Sequence, residues 1–183
     1  MKTRIVSFFG WTLLALSCAI GQTKSIQCIK NETSVTYLLS HPLHHMESTS
    51  KEINCRIEID PAKKEIKTVS AQIDVMTFNS GNSNRDSHAM EVIDAITYPD
   101  VIFSSTSIVQ NGDSLKVTGK LSFHGITIDI VIAAVTKWSP NRLEVIGSFD
   151  LILTDFNVER PSLLGIKCAD TLKFSLIAVF MPD

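Results

Sequence analysis

The sequence has few of the features that mark nucleic-acid-binding or membrane-spanning proteins. Its 183 residues carry 17 basic and 19 acidic side chains, a formal net charge of −2, and the basic residues form no cluster. A nucleic-acid partner requires such a cluster, so this class of function is excluded. After Gly21, no apolar run reaches the length of about 20 residues that spans a bilayer as a helix.

Sequence motifs of common enzymes are also missing. The chain contains no C-x-x-C, no G-x-S-x-G, no H-E-x-x-H and no glycine-rich phosphate-binding loop. We therefore predict that the protein is not an enzyme and that it has no catalytic residues.

The N-terminus, residues 1–21, predicts a secretory signal peptide. Basic residues precede a mostly apolar stretch from Phe8 to Ile20, and small residues occupy the −3 and −1 positions before Gln22. We expect export to the periplasm and a single domain over residues 22–183. The alternative is lipoprotein processing at Cys18, although the residues before it match a lipobox poorly.

Cleavage at this point leaves three cysteines, Cys28, Cys55 and Cys168. Export permits a disulfide, and Cys28 with Cys55 is the preferred pair because both flank early strands. The alternative is three buried thiols that behave as small apolar groups.

Alternation of apolar and polar residues predicts eight short strands. No helix–strand rhythm connects them, which favours an antiparallel barrel or sandwich over a parallel sheet. The predicted strands are Val35–Leu39, Ile53–Ile59, Ile66–Phe78, Val101–Ile108, Val117–Phe123, Ile126–Val135, Val145–Leu153 and Leu172–Phe180.

One short helix is predicted between the third and fourth strands. Ser83 is expected to cap it, with Asp86 reaching back to the Ser83 amide. Its apolar stripe recurs at helical spacing and consists of Ala89, Val92, Ile93 and Ile96. Pro99 is expected to end it.

Four spaced motifs carry a family resemblance. They are NSNRDSH at Asn82–His88, YPDVIFSS at Tyr98–Ser105, VTGKLSFHG at Val117–Gly125 and TDFNVERPSLLG at Thr154–Gly165. Together they resemble the bacterial YceI-like family over roughly Val35 to Phe180. The resemblance implies an exported, lipocalin-like antiparallel β-barrel whose apolar tunnel holds a polyisoprenoid or similar long lipid.

With this resemblance, the predicted fold is all-β: an eight-stranded lipocalin-like barrel with one helix. An eight-stranded barrel can be filled by side chains or hold one small ligand. Glycines at the inward positions 119 and 147 favour unfilled volume, unless they mark close packing. The predicted tunnel lining is Val69, Ala71, Ile73, Val75, Val101, Phe103, Val117, Gly119, Leu121, Phe123, Gly147, Phe149, Leu151, Phe174, Leu176 and Ala178.

Three side chains are candidates for contact with a lipid headgroup: Arg85, His88 and Arg160. Guanidinium groups bind phosphate bidentately. The alternative is that each arginine pairs with the neighbouring acid, Asp86 or Glu159, and so links the helix to the late loop.

Each of the five histidines has a structural interpretation and a functional one. His41, His44 and His45 are expected to be solvated side chains of a loop rather than ligands of a metal. His88 and His124 are expected to form hydrogen bonds at the end of the barrel rather than to catalyse a reaction. We predict no metal and no cofactor other than a non-covalently bound isoprenoid or fatty lipid.

The sequence therefore predicts an exported binding protein for a long-chain lipid, with only transient membrane contact. The first alternative is a filled-core exported barrel that acts as a structural or partner-binding stress protein. The second is a histidine metal protein. The sequence leaves the oligomeric state and the identity of the lipid open.

Overall fold

The structure is a computed structural model that describes residues 23–182 of the chain. The predicted signal peptide and the alternative lipidation site at Cys18 lie outside the described residues. The strands are β1 Lys24–Gln27, β2 Ser34–His41, β3 His44–Ser50, β4 Asn54–Asp60, β5 Glu65–Asp74, β6 Asp100–Asn111, β7 Ser114–Phe123, β8 Ile126–Ser139, β9 Arg142–Ile152, β10 Ser162–Leu163, β11 Ile166–Lys167 and β12 Thr171–Phe180, and the α-helix is α1 Ser83–Val92.

Ten of these strands form one antiparallel sheet in the order β1-β4-β5-β6-β7-β8-β9-β12-β2-β3. The sheet curls into a lipocalin-like half-barrel, with isolated bridges from Thr49 to Asn79 and from Cys28 to Phe180 near its two edges. The remaining two strands, β10 and β11, form a separate hairpin. The all-β prediction with one short helix is confirmed for residues 23–182. Within them, no helix has the length and apolar character needed to cross a membrane.

The predicted strand number is wrong, because the large sheet has ten strands and not eight. The eight predicted strands are its eight central members, β4 to β9 with β12 and β2. The two that were missed are the edge strands. In β3, the buried positions are the serines Ser48 and Ser50, so no apolar alternation marks it.

The interior face of the sheet carries the apolar residues, as alternation dictates. In β7, Leu115, Val117 and Leu121 are buried, while Lys116 and Lys120 are exposed. In β6, Ser107 is exposed and Ile108 is half-buried, because the pairing of β6 with β7 shifts between Ser105 and Ser107. Such a bulge reverses which side chains face inward beyond it.

The two inward glycines mark close packing and not open volume. A Cβ atom on Gly119 would lie 2.5 Å from the Phe103 ring. On Gly147 it would lie 3.2 Å from the Ala134 Cβ and 3.3 Å from the Leu176 Cγ. Because these glycines lack a Cβ, the side chains of the neighbouring strands can pack directly against their backbone. Neither glycine therefore supports the argument for a cavity.

The predicted cap and length of α1 are wrong. Asn82 has extended backbone angles and its side-chain oxygen accepts the Arg85 amide hydrogen bond at 3.1 Å. The Asp86 carboxylate instead accepts from the Ser80 amide. The helix ends at Val92, and Ile96 is 92% exposed.

The three cysteines of the described residues are free thiols, so the preferred Cys28–Cys55 disulfide is wrong. Cys55 and Cys168 are buried, as the alternative expected, whereas Cys28 is half-buried. Cys28 and Cys55 are nevertheless neighbours on adjacent backbones, since the Cys55 amide lies 3.3 Å from the Cys28 sulfur. Burial raises the pKa of the Cys55 thiol to about 12.

Candidate functional site

The curled sheet encloses a cavity of about 430 Å³. This volume falls in the range of roughly 300–1,000 Å³ that is usual for small-molecule sites. Of the sixteen predicted lining residues, all except Gly119 and Gly147 contribute to the wall. That these side chains contact a ligand stays a prediction.

An aromatic row forms one side of the cavity. Phe149 on β9 and Phe174 on β12 are directly paired, and their rings stack at 4.8 Å with an angle of 2° between the planes. Tyr37 on β2 continues the row at 6.1 Å from Phe174, and Phe78 lies 5.2 Å beyond it. These rings face inward but are only half-buried, as expected for a wall that borders open space.

Several lining residues were missed by the sequence analysis. Tyr37 and Leu39 follow Val35 at every second position of the predicted first strand and could have been found by that period. Met46 lies on the unrecognised β3, and Phe78 lies beyond the end of β5, so neither had such a signal. Burial raises the pKa of the Tyr37 hydroxyl, which keeps this wall uncharged.

Helix α1 contributes apolar residues to the cavity wall. It also contributes Arg85 and His88, and we term these two residues the rim. No carboxylate of residues 23–182 lies within salt-bridge distance of Arg85, so the expected pair with Asp86 is wrong. His88 approaches Glu91 at 3.7 Å, one helical turn away. The rim therefore presents a guanidinium without an ionic partner beside an apolar chamber.

Arg160, the third candidate for headgroup contact, does not line the cavity. Its guanidinium donates hydrogen bonds to the Cys168 carbonyl oxygen, from Nε at 2.9 Å and also from Nη2. Its expected partner, Glu159, lies 3.9 Å from Lys167 instead. Arg160 thus holds the β10–β11 hairpin together, and no link runs from it to α1.

The expected loop is a tight hairpin, since β2 and β3 join through the two-residue turn Pro42–Leu43. His44 and His45 lie on β3 and are exposed, as expected, whereas the expectation of a solvated side chain is wrong for His41. His41 is buried, and its Nε2 is 3.0 Å from the Ile166 carbonyl oxygen. His44 borders the cavity, while the Nδ1 of His45 is 3.1 Å from the Ser40 hydroxyl. No group of three or more potential metal ligands occurs in residues 23–182.

His124 lies at the turn between β7 and β8, at the end of the sheet where it was expected. Its Nδ1 is 2.8 Å from the Phe156 carbonyl oxygen, and its ring lies 4.5 Å from that of Tyr98. The backbone of His124 is left-handed, with φ of 49°. These contacts tie the β7–β8 turn to the connection between β9 and β12.

A second border of the cavity is the β10–β11 hairpin, where Pro161, Ser162 and Leu163 line the wall. The turn of this hairpin is Leu164–Gly165, with φ of 54° and 78°. The left-handed backbone costs a non-glycine residue roughly 1–2 kcal/mol. Leu164 carries this cost while its side chain is 84% exposed.

Comparison with known proteins confirms the resemblance read from the motifs. The model of the YceI-like domain family matches residues 27–180. A UPF0312 protein of Pseudomonas putida is 27% identical over 170 residues, which cover 87% of this chain and 88% of that protein.

Two solved structures are similar in fold. BcnA of Burkholderia cenocepacia has a TM-score of 0.76 at 22% identity, covering 83% of this chain and 98% of BcnA. A protein described as a polyisoprenoid binding domain from Saccharophagus degradans has a TM-score of 0.64 at 12% identity, covering 86% and 97%. The match to the family model extends over almost all of the described residues, and the chain belongs to the YceI-like family.

Proposed function

We propose that the protein is an exported binding protein that holds one long apolar lipid, of polyisoprenoid type, inside the curled sheet. The observation that carries the proposal is the cavity of about 430 Å³ with a wall built almost wholly of apolar side chains. The description of the Saccharophagus degradans neighbour as a polyisoprenoid binding domain supports this choice of ligand class.

The affinity would come from removing hydrocarbon from water. Each methylene contributes about 0.8 kcal/mol, so a five-carbon isoprenoid unit contributes roughly 4 kcal/mol before the entropic costs of binding. A small number of enclosed units is therefore sufficient for tight binding without any directional polar contact. The parallel rings of Phe149 and Phe174 give the hydrocarbon chain of the lipid a flat surface to pack against.

Arg85 supplies the polar end of the proposed site. Arg85 lines the cavity, and its guanidinium has no carboxylate partner among the described residues. A phosphate or diphosphate headgroup would meet a bidentate donor there. Polyisoprenyl phosphates combine this headgroup with a long hydrocarbon chain, and they are the compounds to test first.

The test is a titration of the purified protein with a polyisoprenyl phosphate, the corresponding alcohol, and a soluble phosphate. The proposal predicts saturable one-to-one binding of the first two, tighter for the phosphate, and no binding of the third. Absence of saturable binding by both long-chain compounds would refute lipid binding and leave the filled-core alternative.

Export is part of the same proposal, and residues 1–21 support it. The mature protein is expected in a periplasmic extract with Gln22 as its first residue, as measured by intact mass. Recovery with membranes and an acylated Cys18 would replace this location by lipoprotein anchoring.

A further inference from the structure

Two short turns bring exposed apolar side chains together beside the cavity. Leu43 lies in the β2–β3 turn and is 62% exposed, while Leu163, Leu164 and Ile166 belong to the β10–β11 hairpin and are also exposed. His41 joins the two turns, because it contacts the Leu43 amide at 3.2 Å and the Ile166 carbonyl oxygen at 3.0 Å. We call these four apolar residues the apolar tip.

The residue at the end of the hairpin is unfavourable for a turn and for exposure to water. Two-residue hairpin turns with a positive φ at both positions are normally occupied by Asn–Gly or Gly–Gly. Leu164 instead combines a left-handed backbone with an exposed branched hydrocarbon. Strained residues cluster at functional sites, and exposed apolar patches mark surfaces that interact with proteins or membranes.

The apolar tip adjoins the cavity directly. Leu163 belongs both to the tip and to the cavity wall, and His41 and His44 border the cavity beneath it. A lipid that leaves the cavity at this place would therefore move along apolar side chains.

We infer that the apolar tip inserts into the surface of a lipid bilayer and that bound lipid exchanges with the bilayer at this border of the cavity. The inference rests on the proposed function, because a long lipid resides in bilayers and not in water. Four apolar side chains at two turns form a small contact, much smaller than a standard protein–protein interface. Shallow insertion of apolar side chains into the headgroup boundary requires only such a contact.

The charges beside the tip favour apolar insertion over electrostatic attraction. Lys167 and Glu159 are the charged residues of the hairpin region beside Arg160, and they face each other at 3.9 Å. Arg160 is directed to the Cys168 carbonyl oxygen. Membrane binding through the tip is therefore expected to change little with salt, whereas attraction by free cations would weaken as salt rises.

The test uses protein purified from cells that express the full chain, with three preparations compared. The first is the unchanged protein. The second is the double variant Leu43→Ser with Leu164→Asn, which removes two tip leucines that do not line the cavity and gives the turn a favoured residue. The third is the control Val109→Thr with Val131→Thr, which removes two exposed apolar side chains from β6 and β8.

Four quantities are measured on each preparation. The first is sedimentation with vesicles of phosphatidylethanolamine and phosphatidylglycerol at low and high salt, and the second is the affinity for a water-soluble fluorescent farnesyl compound in the absence of vesicles. The third is the rate at which this compound passes between vesicles, and the fourth is the melting temperature. We expect the tip variant to bind vesicles at least roughly tenfold more weakly and to transfer the compound between vesicles correspondingly more slowly. Its affinity for the compound and its melting temperature should not fall, and the control should match the unchanged protein.

Equal vesicle binding by the tip variant, or no vesicle binding by the unchanged protein, would overturn the inference. A protein that co-purifies stoichiometrically and is lost from the tip variant, without vesicle binding, would also overturn it in favour of a protein partner. Failure of the proposed function has a different signature, because the farnesyl compound would then not bind to any of the three preparations.

Discussion

A larger side chain on the inward face of β5 tests whether the interior is hollow or packed. Ala71 lines the cavity and is only partly buried, and it lies opposite Phe103 on the neighbouring strand. The substitution Ala71→Leu adds three carbon atoms to the inward face. If these atoms occupy open space, they leave water at about 0.8 kcal/mol each, so stability should rise by about 2 kcal/mol.

The same substitution should weaken lipid binding. The added carbons take the place of an equal amount of ligand hydrocarbon, which costs the ligand about 2 kcal/mol of burial. At 1.4 kcal/mol for each factor of ten, the dissociation constant should rise roughly 30-fold. A denaturant melt and a titration with a polyisoprenyl phosphate measure the two effects on one preparation.

Two matched variants control this experiment. Gly147→Leu places the same side chain where a Cβ would already lie 3.2 Å from Ala134, so it should overpack and cost about 1–3 kcal/mol. Ser70→Leu adds a leucine to an exposed position of the same strand and should change neither quantity. If Ala71→Leu destabilises the protein as much as Gly147→Leu and leaves lipid binding unchanged, the interior is packed and the reasoning is refuted.

The other predictions concern the cap, the rim and a buried thiol. Asn82→Ala should lower the free energy of unfolding by about 1 kcal/mol in a urea melt through loss of the helix cap, and an equal effect of Ser83→Ala would contradict this assignment. Arg85→Gln should weaken binding of a polyisoprenyl phosphate about tenfold and leave binding of the alcohol unchanged. Arg160→Gln should lower the free energy of unfolding and should not weaken binding of the phosphate more than that of the alcohol. Burial raises the pKa of Cys55 to about 12, above the ordinary value of about 8.5, so the unfolded chain loses the proton first. Stability should therefore fall as pH rises from about 8.5 towards 12, and Cys55→Ala should make the fall shallower in melts at pH 8 and 10.

The central sheet could be predicted from sequence because its strands are long and alternate strictly. In β7 and β8, residues such as Leu121 and Ile130 face the core at every second position. This two-residue period does not depend on which strands lie beside them. The edge strand β3 could not be predicted in this way. Its inward positions are serines, and the partner of Ser50 lies outside the strand, in Thr77, whose hydroxyl is 2.6 Å from that of Ser50.

The candidate site was only partly predictable, for a related reason. Alternation gives the direction of Phe149 and Phe174, but it does not tell whether space remains between opposite walls. Gly147 marks close packing because Ala134 and Leu176 approach it from the two adjacent strands. These residues are 13 and 29 positions away in sequence, so the sequence alone does not reveal the contact. Likewise, only the three-dimensional structure distinguishes Arg85 from Arg160, since each follows or precedes an acid in sequence.

Native mass spectrometry of the protein isolated gently from its own source tests the central claim most directly. The account predicts a species heavier than the polypeptide by the mass of one lipid, released at higher collision energy and identified after solvent extraction. The same increment should be depleted in the Ala71→Leu variant and retained in Ser70→Leu. A mass equal to the polypeptide alone, unchanged after incubation with a polyisoprenyl phosphate, would contradict it.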